Sequence, residues 1–220
     1  MKPILLYWRN QVPNPSKVLV ILEELGLPYE SSWVELEDLK KEPFESVNPN
    51  GRVPAIEDPN TNITLFESGA IVSYLVDTYD KEHKLTYTST PEKYFLQQWS
   101  FFQASGQGPY FGQAAWFNFF HPEKLESAQT RYANELKRIA GVLNRALKGK
   151  EWLVGDKCTY ADLAFVMWNA QIDFVMKDHA WNAAEYPDFQ RWQEAMMARD
   201  SLKKVMSVLM DKEVKSAGRV

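Results

Sequence analysis

Glu67-Ser68-Gly69-Ala70-Ile71 sets an acid, a hydroxyl and a glycine at the start of an apolar helical stretch. A helix N-terminus offers backbone N–H groups without intrahelical partners and a partial positive charge, which together suit a carboxylate. Ser68 and the amides around Gly69 supply that site, and Glu67 beside them can hold an ammonium. Upstream runs Val53-Pro54-Ala55-Ile56, an apolar strand carrying a proline. Proline removes a backbone donor, so in a sheet it belongs at an edge or a start. A neighbouring backbone group is then left to pair with something extended. A ligand with an amino acid at one end and a peptide backbone in its middle fits both parts.

These residues need a scaffold, and the pattern around them predicts one. Residues 4–7, Ile-Leu-Leu-Tyr, read as a buried strand. Val18, Ile21, Leu22 and Leu25 follow helical spacing, with Asn14 as N-cap, Pro15 at the first helical position and Gly26 as the stop. Tyr29 to Leu36 reads as a second strand, so the opening is a β-α-β unit with a right-handed crossover. Val53–Ile56 and Ile63–Phe66 flank the turn-rich Asp58-Pro59-Asn60-Thr61-Asn62, and a helix from Glu67 to about Tyr79 closes the unit. This β-α-β-α-β-β-α order is that of an α/β thioredoxin-like domain over residues 1–80.

Residues 81–90 are polar and without a period, which reads as a linker; from 91 to 220 every signal is helical. Thr90-Pro91-Glu92 starts one helix, and Tyr132, Leu136, Ile139, Leu143 and Leu147 form the apolar stripe of another. Leu163, Val166, Met167, Ala170 and Phe174 mark a third, opened by a capping box in Thr159-Tyr160-Ala161-Asp162, and Leu202, Val205, Met206 and Leu209 a last one. The second domain is therefore expected to be all-α.

Composition narrows the function. The chain has 220 residues, a net charge of −4 and no basic block, which argues against a nucleic-acid partner. No apolar run approaches the roughly 18 residues of a membrane span, and a strand beginning almost at Met1 leaves no room for a leader, so the expected location is the cytoplasm. The single Cys158 forms no internal disulfide. His83, His121 and His179 lack metal-ligand spacing, and no metal is expected.

The ligand inferred above matches glutathione, and longer motifs agree. Pro13-Asn14-Pro15-Ser16-Lys17-Val18, Ser46-Val47-Asn48-Pro49-Asn50-Gly51-Arg52-Val53-Pro54-Ala55-Ile56 and Glu67-Ser68-Gly69-Ala70-Ile71 resemble the glutathione transferase family. Phe101-Phe102-Gln103-Ala104-Ser105-Gly106 and Trp152-Leu153-Val154-Gly155-Asp156-Lys157 are similar to its fungal branch, which includes the yeast nitrogen-regulatory prion protein. The resemblance covers about Ile4 to Arg199. It implies that Glu67 and Ser68 take the γ-glutamyl amino and carboxylate groups, that Val53 pairs through its backbone with the cysteinyl part, and that Pro54 is cis. It also implies that Arg52 and Lys40, or Lys41 in its place, face the glycyl carboxylate. A two-fold homodimer is expected on the same ground.

The chemistry so implied is addition of the glutathione thiolate to a hydrophobic small-molecule electrophile. A free thiol has a pKa of about 8.5, and each unit of lowering takes about 1.4 kcal/mol of preference for the anion. Asn14 brings an amide NH₂ and a helix N-terminus, and in the family branch this asparagine is the proposed sulfur contact. A plain helix cap is its other reading. Pro15 stands where a glycine commonly follows and removes one backbone N–H. Tyr7 lies inside a strand and reads as core, Ser16 lies within the helix, and Val12 occupies the place of the serine used in other classes. Nine aromatics between Trp99 and Phe120 fall among Gly106, Gly108, Pro109 and Gly112, which are expected to break the helix. Of these, Tyr110, Phe111, Trp116 and Phe120 are expected to wall an apolar acceptor pocket, with the Asn10–Val12 loop at its rim. Two alternatives use the same site: a glutathione-dependent isomerase or tailoring enzyme of secondary metabolism, and a regulatory glutathione-binding protein with weak transferase activity.

Overall fold

The computed structural model describes residues 1–9 and 13–210, and the chain divides into two compact units. One comprises residues 1–84 together with the segment from Arg199 onward, and the other runs from Leu85 to Ala198.

The first unit contains β1 (Ile4–Trp8), α1 (Pro13–Glu24), β2 (Tyr29–Trp33), α2 (Phe44–Val47), β3 (Ala55–Asp58), β4 (Ile63–Phe66) and α3 (Ser68–Tyr79). The sheet order is β2-β1-β3-β4, with β1 and β2 parallel and the other pairs antiparallel. This is the thioredoxin-like arrangement. Side chains alternate across a strand, so Ile4, Leu6 and Trp8 are buried together while Tyr7 lies on the other face with Val34, Phe44 and Ala55. α1 is buried without interruption from Pro15 to Leu22 and packs on α3.

Three boundaries differ from the sequence pattern. β2 ends at Trp33 rather than Leu36: Val34 N still donates to Trp8 O at 3.1 Å, but β1 stops there and Leu36 turns out to solvent. The ladder of β3 begins at Ala55, opposite Tyr7 and Phe66, so Val53 and Pro54 precede it, as suits a residue without an N–H. α1 starts at Pro13, which puts Asn14 inside its first turn rather than ahead of it.

The second unit is helical: α4 (Glu92–Phe102), α5 (Gly108–Ala115), α6 (Glu126–Ala146), α7 (Tyr160–Asn169), α8 (Ile172–Val175) and α9 (Pro187–Met197). Its central helix is α7, apolar on all sides and buried on all sides. The Phe165 ring lies 6.4, 6.2 and 5.9 Å from those of Trp99, Phe102 and Trp192. The expected capping box is present, and buried Asp162 also accepts Leu153 N and Trp192 Nε1 at 2.9 and 3.0 Å. Burial pushes this carboxyl up against the pull of those donors.

The glycines and proline after α4 do not break the helix. Gln103–Gln107 and Trp116–Phe120 form π-helical turns instead, and Pro109 falls in the first turn of α5, where a missing N–H costs little. The first wide turn is held by amides: Gln103 Nε2 donates to Gln107 Oε1 at 3.0 Å, and Gln107 Nε2 to Asn169 Oδ1 at 2.6 Å.

The last helix, α10 (Asp200–Met210), groups with residues 1–84 and not with the helical stretch in which 91–220 was expected to lie. It packs on α1, and Arg199 donates through Nε and Nη2 to the Glu24 carboxylate, each at 2.6 Å. Ser201 also donates to Glu24, and Lys204 Nζ lies 2.7 Å from Glu23. Burial alone would raise the Glu24 carboxyl; the bonds from Arg199 and Ser201 outweigh it and hold the group below its ordinary value.

Candidate functional site

The start of α3 provides the most specific geometry. Glu67 occupies the N-cap with φ 69° and ψ 112°, a conformation that non-glycine residues rarely adopt, and its side chain is exposed. Backbone held this way is a recurrent feature of ligand-binding positions. Glu67 O accepts Ile71 N at 2.9 Å, so the amides of Ser68, Gly69 and Ala70 form the open end of the helix. A Cβ built on Gly69 would meet nothing within 4 Å, so the space beside Gly69 is open. Ser68, the first residue of the helix, is buried. An acid beside an open helix N-terminus can receive an ammonium and a carboxylate together.

A second cluster forms around the loop from Asn48 to Pro54. Asn48 is buried; its Nδ2 donates to Arg52 O at 2.5 Å, and its Oδ1 accepts Asn50 N at 2.9 Å. Gly51 has φ +62°, and a Cβ there would lie 2.8 Å from Lys40 Cγ and 2.9 Å from Leu39 O. Only glycine lets the Lys40 stem cross the loop this closely. Lys40 and Arg52 thus share one exposed stretch of surface, whereas Lys41 Nζ is drawn to Asp38 Oδ1 at 3.2 Å. The Val53–Pro54 bond is cis, with Val53 half-buried and Pro54 buried.

Asn14 is half-buried in the first turn of α1, and the Asn10–Val12 loop expected to rim the acceptor pocket lies outside the described residues. Tyr7 belongs to the core, as its strand position implied. Its hydroxyl donates to Glu57 Oε1 at 2.7 Å, and burial with that carboxylate pushes it up to about 12. Ser16 and Cys158 are buried. Sequence reasoning passed over Lys17, which is only 3% exposed. Burial pulls its ammonium down to about 7, against the opposing charge of Glu67. The available signal was a lone basic residue immediately before the apolar run Val18 to Leu22.

In the second unit the expected aromatics separate into two groups. Phe111 is 1% exposed with its ring 6.1 Å from Trp168, so it packs in the core of this unit. Tyr110 is half-buried against Tyr132 at 6.3 Å. Trp116 and Phe120 are 47% and 67% exposed and stack on each other at 6.3 Å. Beside them in sequence, Phe119 stacks on Phe174 at 4.7 Å, with Lys177 Nζ 5.2 and 5.7 Å from the two rings. Phe174, expected in the apolar stripe of α7, is 57% exposed because α7 ends at Asn169 and a new turn begins at Ile172. Asn118 pins this surface by donating to Val175 O at 2.9 Å. Among the described residues no cluster of three His, Cys, Asp or Glu could hold a metal, and no helix is long and apolar enough to cross a membrane.

Comparison with known proteins agrees along the chain. Residues 13–78 match the family model for the glutathione S-transferase N-terminal domain, and residues 109–200 that for the C-terminal domain. The chain is 45% identical over 213 residues to the Glutathione S-transferase-like protein gedE of Aspergillus terreus, covering 92% of this chain and 94% of that one. Among solved structures it resembles the glutathione transferase URE2P6 of Phanerochaete chrysosporium in complex with oxidized glutathione, with a TM-score of 0.90 and 43% identity over 94% of this chain and 96% of that one. It also resembles Ure2p5 of the same organism cocrystallized with 1-(S-glutathionyl)-2,4-dinitrobenzene, with a TM-score of 0.88 and 37% identity over 99% and 98% of the two chains. Matched in both domains and this similar over nearly its full length, the chain belongs to the glutathione transferase family.

Proposed function

We propose that this chain binds glutathione in its first unit and adds the thiolate to a hydrophobic electrophile. The observation that carries the reading is the open N-terminus of α3, with Glu67 in its unusual backbone conformation and Ser68 buried beside it. Glu67 would hold the glutamyl ammonium, and Ser68 with the helix amides its carboxylate. Val53, just ahead of the β3 ladder, would pair with the cysteinyl backbone. Lys40 and Arg52 would receive the glycyl carboxylate, Lys40 being preferred because Lys41 already has Asp38. Asn14 would donate to the sulfur and favour the thiolate. The S–H proton leaves to solvent, and the sulfur lone pair forms the new C–S bond as the acceptor either opens a π bond, whose electron pair takes a proton from solvent, or expels a leaving group.

Trp116 and Phe120, with Tyr110 nearby in sequence, would receive the acceptor; the stacked exposed rings favour a flat, bulky molecule. That same surface supports a second reading, a tailoring reaction of secondary metabolism in which glutathione is used and returned. The relative cocrystallized with a glutathionyl dinitrobenzene supports conjugation as the first choice. We further infer a cytoplasmic homodimer, supported by Tyr94, Phe95 and Phe101, which leave α4 at 59%, 46% and 69% exposure. Light scattering should give twice the chain mass of 25.5 kDa. The deciding experiment presents glutathione and a panel of electrophiles and identifies products by mass spectrometry. Products that retain glutathione establish conjugation, isomerised products without it establish the second reading, and no turnover despite binding leaves a binding protein.

A further inference from the structure

We propose that Lys177 sets the class of acceptor: a flat aromatic molecule with an anionic oxygen, its rings on an exposed aromatic ladder and its anion on the Lys177 ammonium. The inference rests on the reading of Trp116 and Phe120 as acceptor residues and deepens it.

The ladder joins two stretches of the second unit. Trp116 stacks on Phe120 at 6.3 Å, Phe120 meets Phe119 edge to face at 6.4 Å, and Phe119 stacks on Phe174 at 4.7 Å. Trp116, Phe120 and Phe174 are all exposed. Single exposed rings are ordinary, whereas a contiguous run of them marks a surface that receives something. This surface is held in shape. Asn118 Nδ2 donates to Val175 O at 2.9 Å, and Asn118 Oδ1 lies 3.2 Å from His179 Nε2. On the other side Gln129 Nε2 donates to Phe117 O at 2.9 Å, taking one of the carbonyls that a helix end leaves open.

The ladder ends in a cation. Lys177 Nζ sits over Phe119 and Phe174, 5.2 and 5.7 Å from the two ring centres. A ring face attracts an ammonium but provides no carboxylate, and among the described residues no acid pairs with this one. Asp173 accepts Trp181 Nε1 at 2.8 Å instead, and Asp178 is exposed. In a chain of net charge −4, this aromatic surface therefore carries a cation that lacks a carboxylate partner. A neutral flat molecule would use the rings alone. An anionic one uses the rings and the charge together, and the rings exclude water from one side of the pair, which strengthens it. The Phe120 ring and the ammonium are joined by steps of 6.4 and 5.2 Å through Phe119. A fused aromatic ring system on Phe120 thus brings its substituent to Lys177.

The test titrates naphthalene-2-carboxylate and its neutral carboxamide, alike in shape, into the whole chain by calorimetry with glutathione present. Wild-type protein should bind the carboxylate about three- to tenfold more tightly than the amide, the scale of a partly exposed charge pair. Lys177→Gln should erase that ratio and leave amide binding alone, and Lys177→Arg should keep it. Trp116→Ala should weaken both ligands, which locates them on the ladder. The carboxylate should also compete with 1-chloro-2,4-dinitrobenzene, and not with glutathione, in the reaction where the thiolate displaces chloride. An unchanged ratio in Lys177→Gln, or equal loss of both ligands, would overturn the role of Lys177 and leave the glutathione reading intact. Carboxylate binding that survives Trp116→Ala or spares the conjugation would do the same. So would light scattering that shows a Phe120→Ala dimer falling to monomer, because the ladder would then be a subunit surface. Failure to conjugate any electrophile would overturn the conjugation reading and this proposal together.

Discussion

The two ends of the proposed reaction are built on opposite principles. The glutathione end, in the first unit, is made of backbone: the open turn of α3, the segment ahead of β3 and a glycine that lets Lys40 cross the loop. The acceptor end, in the second unit, is made of side chains alone, aromatic rings stacked on a helix widened by a π turn. Backbone recognition requires particular residues at particular dihedrals, so it leaves short, specific motifs in sequence. An aromatic surface requires only large rings at roughly the right place. Rings that line a surface and rings that fill a core then look alike until the fold separates them.

The sharpest break of this comparison contrasts two phenylalanines nine residues apart. Phe111→Ala should cost about 3–5 kcal/mol of stability, as expected for a fully buried ring. Phe120→Ala should melt within about 0.5 kcal/mol of wild type, as exposed substitutions do. Thermal unfolding measures both, and acceptor profiling of the Phe120 variant should show altered selectivity at unchanged glutathione affinity. Equal stabilities for the two variants would mean that the core and surface rings were wrongly separated.

Next in size is the glutamyl end. Ser68→Ala and Glu67→Ala should each weaken glutathione binding by about 1.5–3 kcal/mol, the scale of charge-assisted hydrogen bonds. Calorimetry checks this; wild-type affinity in both folded variants would remove the subsite. Asn14→Ala should act on the sulfur instead, raising the thiol pKa of bound glutathione by about one unit, about 1.4 kcal/mol, with affinity nearly preserved. Ultraviolet titration of the bound thiolate measures it, and an unchanged titration would make Asn14 a structural residue of the first turn.

The smallest effect concerns the scaffold of the first unit. Asp58 is buried, and burial would raise its carboxyl, but bonds from Tyr74, Tyr79 and Asn60 outweigh that and hold it below 3.8. Glu24 is likewise held below 4.5. A carboxyl with a depressed folded pKa contributes stability that is present above its unfolded value and lost as pH falls through the folded one. Chemical denaturation should therefore show stability falling as pH drops below the ordinary carboxylate range. Asp58→Asn should flatten that fall, and an unaltered profile would assign the acid loss to other groups.

The fold of the first unit was legible because each signal was local. Alternation, helical spacing and turn residues agree from Ile4 to Tyr79, and the differences lie at boundaries where neighbours decide. β2 stops when β1 runs out, and β3 begins after Pro54 because proline has no N–H for the ladder. The capping box at Thr159 to Asp162 was readable for the same reason, being contained within four residues. The helix after Phe102 was misread because a π turn absorbs glycines and a proline that would end an ordinary helix.

By itself the sequence determined the family, the two kinds of domain and the motifs at Val53–Pro54 and Glu67–Ser68, since these depend on residue type and short spacing. Tertiary structure decided what depends on neighbours distant in the chain. It buried Phe111 and exposed Phe120 and Phe174, gave α10 to the first unit through Arg199 and Glu24, and separated Lys40 from Lys41. It also enclosed Lys17, whose ammonium burial pulls down to about 7. A charge becomes chemically unusual only when water is removed from it, and removing water is the work of the whole fold.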